Sequence, residues 1–324
     1  MKKKIKTIEI LEPKNQLFLY NFENLFKKFI LMHEKKNLPN VVLLSGIKGI
    51  GKSTFSYHFA NYLLSRGEND TYSINKYKIN EDNYTYKLIN NATHPNFFSF
   101  DSNSISKEIK IEQIRNLITF LNKTTYSKDL KIVIIDNSER LNLNASNALL
   151  KSMEEPKENT FFFVIHDSSC KLLSTIKSRC IEFKIFQYYN EKKAIFNDLS
   201  AQYHINEKIN QSFLSDLSFN SAGNVFSYFV QLTNDEFEPT DNILDLVFYF
   251  VDKYKKDSNP ETLSFITFFI NKYYNNLCSK KNKSHSSFMN YSKVFKSIDE
   301  MKKYNLNVKS VFMQINDILV NETR

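Results

Sequence analysis

Tryptophan is absent from the sequence, and the residues that break or cross-link regular structure are few. Among 324 residues there are 5 glycines, 6 prolines and 3 cysteines. This shortage of glycine and proline favours long helices over a turn-rich β architecture. Cys170, Cys180 and Cys278 are too few and too scattered for a disulfide framework, so we expect a reducing, cytoplasmic environment.

Long hydrophobic runs are also missing. The most apolar stretch, residues 243–251, is interrupted by Asp245 and is too short to span a bilayer. The basic start, residues 1–6, is not followed by an apolar run and does not read as a signal peptide. We therefore expect a soluble protein with no membrane partner.

The composition that remains is that of an ordinary globular protein, with 42% hydrophobic and 24% charged residues. The length predicts two or three domains. The formal net charge of +9 could attract nucleic acid phosphates. Because no basic patch is localised in the sequence, we interpret this charge as a solvated, lysine-rich surface.

Short apolar runs alternate with helical patterns up to about residue 186, which is typical of a parallel α/β sheet. The predicted strands are 41–44, 97–100, 131–135 and 160–165. The predicted helices are 17–32, 53–64, 111–121 and 144–154, and the polar segment 66–93 is expected to be irregular, with a helical part at 82–89.

Beyond residue 186 the sequence predicts amphipathic helices and polar loops only. We expect three domains: a nucleotide-binding domain at 1–186, a small helical domain at 187–238 and a helical carboxyl-terminal domain at 239–324. The polar segment 238–241 reads as the linker into the last domain.

Residues 46–53 read GIKGIGKS and match the P-loop pattern G-x-x-x-x-G-K-[ST] in full, between a predicted strand and a predicted helix. The glycines allow the backbone to fold around phosphate oxygens, and the bared N–H groups form an anion nest at the helix start. Lys52 would neutralise phosphate charge, and Ser53 would place its hydroxyl on Mg²⁺. The predicted nucleotide-binding residues are Gly46, Gly49, Gly51, Lys52, Ser53 and Thr54.

Asp136 ends the apolar strand 131–135, where P-loop proteins hold the magnesium shell opposite the P-loop serine. The predicted metal residues are therefore Ser53 and Asp136, acting on Mg²⁺ that arrives with ATP. The next residue is Asn137, whose amide cannot act as a general base. Glu139 lies two residues further on, and a strand or turn would aim it elsewhere, so we expect binding without efficient hydrolysis.

Residues 145–156, ASNALLKSMEEP, resemble the bacterial clamp-loader family of AAA+ proteins. Further segments resemble the same family in the same order, namely LPN at 38–40, HPN at 94–96, IKIEQIR at 109–115 and SRC at 178–180. The resemblance covers nearly all of residues 1–235 and is densest from 38 to 183. It implies an α/β P-loop (AAA+) parallel-sheet domain, a small helical lid and an all-α collar domain. It also implies that Arg179 is an arginine finger acting in trans on the γ-phosphate of a neighbouring subunit.

Four departures from the family's motor subunits favour a stator, which completes a neighbour's site and has weak or no ATPase activity of its own. Asn137 replaces the catalytic glutamate, and Phe226 stands where motors carry a nucleotide-sensing arginine. Residues 65–93 contain no cysteine, so we expect no zinc site there. We also expect no tail beyond the collar of the kind that lets one motor type bind polymerase and helicase.

The resemblance implies as partners the gamma/tau and delta clamp-loader subunits, the sliding clamp and primer-template DNA. Three other readings remain open at this point. The first is a gamma/tau-type motor ATPase, against which Asn137 argues. The second is a nucleotide kinase, which would carry its P-loop closer to the amino terminus and an arginine-rich lid. The third is an interaction module with a relict P-loop.

Overall fold

The computed structural model describes residues 7–100, 108–123, 130–205, 214–237, 242–279 and 284–322. Contacts divide the chain into two compact units, one built around a sheet from residue 8 to 227 and one built of helices from residue 228 on. The predicted linker at 238–241 lies outside the described residues. The boundaries between the three predicted domains remain a prediction.

Five parallel strands form one sheet in the order β2-β3-β4-β1-β5. The strands are β1 (Val41–Gly46), β2 (Phe97–Ser99), β3 (Lys131–Ile135), β4 (Thr160–Asp167) and β5 (Ile181–Lys184). The first four match the predicted strands to within two residues, and the parallel α/β fold class is confirmed. The fifth strand had no separate prediction, since Ile181–Lys184 is short and its residues are exposed or half-buried.

Helices of the sheet unit connect and cover the strands. They are α1 (Glu23–Glu34), α2 (Lys52–Leu64), α3 (Tyr84–Asn90), α4 (Ile111–Asn122), α5 (Leu143–Glu154), α6 (Ser174–Lys177) and α7 (Tyr189–Gln202). The next helix, α8 (Ala222–Asn234), contains the division between the two units. The helical unit continues with α9 (Ile243–Asp257), α10 (Pro260–Ser279), α11 (Ser284–Tyr304) and α12 (Val308–Glu322). Within the described ranges, no helix combines the length and the apolar character that crossing a membrane requires.

The sheet is buried on both faces because successive strand residues are apolar on both sides. In β1, Val42 and Leu44 face one core cluster, while Val41 and Leu43 face the other. The first cluster is rich in aromatic rings from α1 and α2, and the second is formed with α4 and α5. Strands covered on both faces read as continuous apolar runs, which is the pattern that a parallel sheet requires.

Helix α1 begins later than predicted. The apolar spacing predicted a helix from Leu17, but α1 begins at Glu23. The preceding residues pair with a distant turn, since Phe18 bridges Lys78 and the Leu19 N–H donates to the Tyr77 carbonyl at 3.0 Å. Long-range backbone pairing therefore overrides the helical periodicity over residues 17–22.

Helix α2 is almost wholly buried and includes a histidine, His58, that is 0% exposed. Its Nε2 lies 3.0 Å from the Gln16 carbonyl, which can only accept, so Nε2 carries the proton. Nδ1 then accepts from the Tyr72 hydroxyl at 3.0 Å. Burial lowers the pKa of His58 to about 3, opposed by the hydrogen bond to Gln16. The neutral ring thus joins the amino-terminal segment to α2.

We expect His58 to make stability fall in mild acid. The unfolded chain protonates this residue below its ordinary pKa of 6.5, whereas the folded chain does so only near 3. Between these values the unfolded state binds more protons, so the free energy of unfolding decreases as the pH falls. The loss from this residue is about 2 kcal/mol between pH 7 and pH 5.

Urea unfolding at both pH values measures this loss. His58→Gln removes the titrating ring, so the variant is expected to lose less stability than the wild type over the same interval. Equal losses in the two proteins would show that the buried imidazole does not supply the pH dependence.

Candidate functional site

The loop between β1 and α2 has the shape that its glycines predicted. Gly49 and Gly51 have φ angles of +77° and +100°, in the left-handed region that other residues rarely adopt. Gly51 is the residue before the first turn of α2, so the free N–H groups of that helix start within the loop. This backbone offers a nest for an anion at a helix amino terminus.

Gly46 is required for a different reason. A methyl group added there would lie 2.5 Å from the carbonyl oxygen of Ile185. The Ile185 N–H donates to the Ser45 carbonyl at 2.7 Å, continuing the pairing of β5 with β1. The first glycine of the motif therefore lets the chain after β5 pass directly against the loop.

Lys52 is buried, with 6% of its surface exposed. Its ammonium donates to the carbonyl oxygens of Gly46 at 2.6 Å and Ile47 at 2.8 Å, at the entrance of the loop. Burial lowers the pKa of Lys52. Three carboxylates oppose this shift by favouring the charged form, in decreasing order Asp167, Asp136 and Glu139.

Ser53 and Asp136, the predicted metal residues, contact each other. The Ser53 hydroxyl donates to Oδ2 of Asp136 at 2.8 Å, and the Asn137 N–H donates to Oδ1 at 2.8 Å. Burial raises the pKa of Asp136, and these hydrogen bonds, together with the charge of Lys52, act in the opposite direction. The first helical turn of α2 and the end of β3 therefore form one polar centre at the carboxyl edge of the sheet. Thr54 follows in α2 and is half-buried.

Asn137 has a left-handed backbone, with φ 52° and ψ 50°, a conformation that asparagine tolerates well. Glu139 lies in the short 3₁₀ turn that follows, and it points to the end of β4. Its Oε2 accepts from the Asp167 N–H at 3.3 Å and lies 3.6 Å from Nδ1 of His166. The carboxylate of Glu139 is thus bound to the neighbouring strand end.

Helix α8 begins directly against the phosphate loop. The Ser221 hydroxyl donates to the Lys48 carbonyl at 2.7 Å. A methyl group at Gly223 would lie 2.4 Å from the Gly49 carbonyl, and one at Gly49 would lie 2.5 Å from the Ser221 hydroxyl. Two glycines therefore allow the two backbones to touch.

Phe226 follows one turn later and supplies no charge to the loop. It is 1% exposed, and its ring lies 6.1 Å from that of Phe196 and 5.3 Å from that of Tyr203. It serves as a core residue between α8 and α7.

Arg179 lies far from the phosphate loop of its own chain. The register of β5 on β1 pairs Ile181 with Val42, and Arg179 lies in the turn just before the amino end of β5. Ile181 pairs with a residue four positions before Gly46 along β1, which is a rise of about 13 Å, and Arg179 precedes Ile181. Arg179 therefore lies at the amino edge of the sheet, and the loop lies at the carboxyl edge.

The Arg179 side chain is 27% exposed. Its guanidinium contacts the last residue of α5, since Nε donates to Oε1 of Glu154 at 2.6 Å and Nη2 contacts the same oxygen. Nη1 donates to the Thr175 carbonyl at 2.9 Å and lies 3.3 Å from the Ser178 hydroxyl. The arginine lies at the surface, bound to acceptors on its own chain.

The structure thus brings together the P-loop residues and Asp136, and it separates Arg179 from them. Sequence reasoning did not single out Asp167, Gly223 and Glu154. Asp167 had a weak signal, because it lies two residues beyond the predicted end of an apolar strand. Gly223 contacts Gly49 and Glu154 contacts Arg179, and both contacts join residues far apart in sequence. No local sequence pattern predicts either contact.

The chain is similar in sequence to proteins of one known family. The sequence model of a family described as "DNA polymerase III, delta subunit" matches residues 22–188. DNA polymerase III subunit delta' of Pseudomonas aeruginosa is 35% identical over 140 residues, which are 43% of this chain and 41% of that protein. The same subunit of Buchnera aphidicola subsp. Baizongia pistaciae is 30% identical over 202 residues, 60% of this chain and 58% of that protein.

Among solved structures, a DNA polymerase III gamma subunit-related protein of Thermotoga maritima is 15% identical, with a TM-score of 0.49. That comparison covers 94% of this chain and 98% of the other. The two delta' relatives are matched over 41% and 58% of their own lengths.

Gly223→Ala tests the contact between α8 and the phosphate loop. In a free helix, alanine is favoured over glycine by up to about 1 kcal/mol. Here the added methyl group would strike the Gly49 carbonyl, so we expect the free energy of unfolding to fall by about 1–3 kcal/mol. Urea denaturation measures the sign of the change in the free energy of unfolding. A variant more stable than the wild type would show that Gly223 and Gly49 do not approach this closely in solution.

Proposed function

Because this chain belongs to the family of DNA polymerase III delta-prime subunits, we propose that it is the stator of a bacterial clamp loader. In this role it binds ATP with Mg²⁺ and supplies Arg179 in trans to a neighbouring gamma/tau ATPase. The loader would then place the sliding clamp on primed DNA during replication. The partners proposed are the gamma/tau and delta subunits, the clamp and primer-template DNA, in the cytoplasm.

The observation that carries the proposal is the placement of Arg179 at the opposite edge of the sheet from the P-loop. A planar, permanently charged guanidinium suits the charge that spreads over a transferred phosphoryl group. Because Arg179 precedes the amino end of β5 and its guanidinium contacts Glu154 at that same edge, it does not reach a phosphate held by its own loop. A surface arginine that acts on phosphate must therefore act on that of another molecule.

The phosphate loop supports nucleotide binding. Its nest, its lysine and the Ser53–Asp136 pair supply N–H donors, a cation and the hydroxyl and carboxylate oxygens that Mg²⁺ prefers. The magnesium would neutralise phosphate charge beside carboxylates that already outnumber the single Lys52. These residues fit a nucleoside triphosphate with its metal.

Three features support weak hydrolysis in this chain. Asn137 cannot take a proton from water. Glu139 is bound to the Asp167 N–H at the end of β4. Phe226 is buried and brings no cation. The loop is then a binding site for a structural ligand, and the rate enhancement belongs to the neighbour's site.

Lys52→Ala tests nucleotide binding. Loss of a charge-assisted contact to phosphate is expected to weaken ATP binding about ten- to a hundredfold. Titration calorimetry with Mg-ATP measures the affinity. Lys48→Ala is the matched control, because it removes an exposed lysine from the same loop. Equal affinity of Lys52→Ala and wild type would count against the proposed cradle.

Arg179→Ala tests the finger. The variant is expected to fold normally, yet to lower turnover at the neighbouring site of the assembled loader by about tenfold or more. The steady-state ATPase rate of the reconstituted complex measures this loss. Lys177→Ala removes an exposed charge two residues away and serves as the control. Unchanged turnover with Arg179→Ala would contradict the proposed role.

A further inference from the structure

Arg179 does not stand free at the surface. The Nε and Nη2 groups both contact one carboxylate oxygen of Glu154, and Nη1 donates to the Thr175 carbonyl. A guanidinium has five N–H donors in a fixed fork and binds a carboxylate or a phosphate in the same way. The contacts of this fork are therefore taken by acceptors of its own chain.

The position of Glu154 is locally unfavourable. It is the last residue of α5, where the helix macrodipole favours a cation and disfavours an acid. Glu155 follows directly, so two carboxylates crowd one helix end. Lys151 places one cation in the last turn, and the Arg179 guanidinium adds a second, which gives the contact an electrostatic reason beyond the pair itself.

The donors that Glu154 holds are those that a phosphate would need. Nε and one Nη2 N–H form the side of the fork that binds an oxyanion in bidentate fashion. Glu154 and a neighbour's phosphate therefore compete for the same donors. Glu154 is half-exposed, with 48% of its side chain accessible, so water weakens the ion pair and exchange is feasible.

We propose that Glu154 is a positioning residue that holds Arg179 against its own subunit until a triphosphate on the neighbour displaces it. This inference rests on the proposed function, since it assigns to Arg179 a phosphate in trans. The Glu154 carboxylate lowers the fraction of molecules in which the Arg179 guanidinium is free to bind a phosphate. That fraction sets how strongly nucleotide on the neighbour increases the affinity between the two subunits.

The experiment measures the affinity of the full-length chain for its gamma/tau subunit, with and without a non-hydrolysable ATP analogue on that subunit. Glu154→Gln keeps the shape and an acceptor oxygen but removes the charge. The ratio of the two affinities is expected to rise about two- to fivefold, the size set by a half-exposed ion pair. A purely structural role for Glu154 would change both affinities together and leave the ratio unaltered.

Glu155→Gln is the matched control. Over the part of the chain that the structure describes, no hydrogen bond or ion pair joins Glu155 to Arg179, and Glu155 is exposed on the same helix end. Its ratio is expected to equal that of the wild type. In an Arg179→Ala background, Glu154→Gln is expected to have no effect on the ratio.

The proposed role of Glu154 is contradicted if Glu154→Gln leaves the ratio of the two affinities unchanged or lowers it. It is also contradicted if the substitution raises that ratio equally in the Arg179→Ala background. These results would leave the finger intact, provided that Arg179→Ala alone still abolishes the effect of nucleotide. If Arg179→Ala alone leaves the ratio at the wild-type value, the proposed function fails instead. The two failures are therefore distinguishable in one set of variants.

Discussion

The common direction of the five strands is the constraint on which the rest of this molecule depends. Since every strand runs the same way, the sheet has one edge of carboxyl ends and one edge of amino ends. The phosphate loop and Asp136 follow carboxyl ends, whereas Arg179 and the end of α5 lie at the other edge. The phosphate loop and a surface cation thus lie at opposite edges of the sheet.

The carboxyl edge gathers opposite charges in a partly buried setting. The Lys52 ammonium donates to carbonyl oxygens of its own loop. Three carboxylates favour its charged form, namely Asp136 directly after β3, Glu139 in the following turn and Asp167 at the end of β4. Burial alone would favour a neutral lysine and a protonated Asp136, and the charge of each group favours the charged form of the other. At the start of α8, the Ser221 hydroxyl and Gly223 contact the backbone of the phosphate loop.

Local patterns made the core of this site predictable. The P-loop motif and the acid after an apolar strand depend on neighbours in sequence, and both were predicted with their partners. The start of α1 was predicted wrongly, because pairing of Phe18 and Leu19 with residues 77–78 replaces helix there. The contacts of Gly223 with Gly49 and of Glu154 with Arg179 span long stretches of chain. These contacts depend on how helices, strands and loops pack in three dimensions, and the spacing of residues along the sequence does not predict them.

Under the proposed function, the chemistry of one ATPase site is divided between two chains. A cradle that keeps its lysine and its metal-side oxygens still binds the ground state of a triphosphate. Without a base at Asn137 or a cation at Phe226, it gains little extra affinity for the transition state, and equal binding of both states produces no acceleration. Selection on such a loop would act on assembly and stability, because a bound nucleotide stabilises the fold that holds it. Arg179 makes the complementary contribution, since its charge is useful only where phosphate charge redistributes, and that occurs on the neighbour.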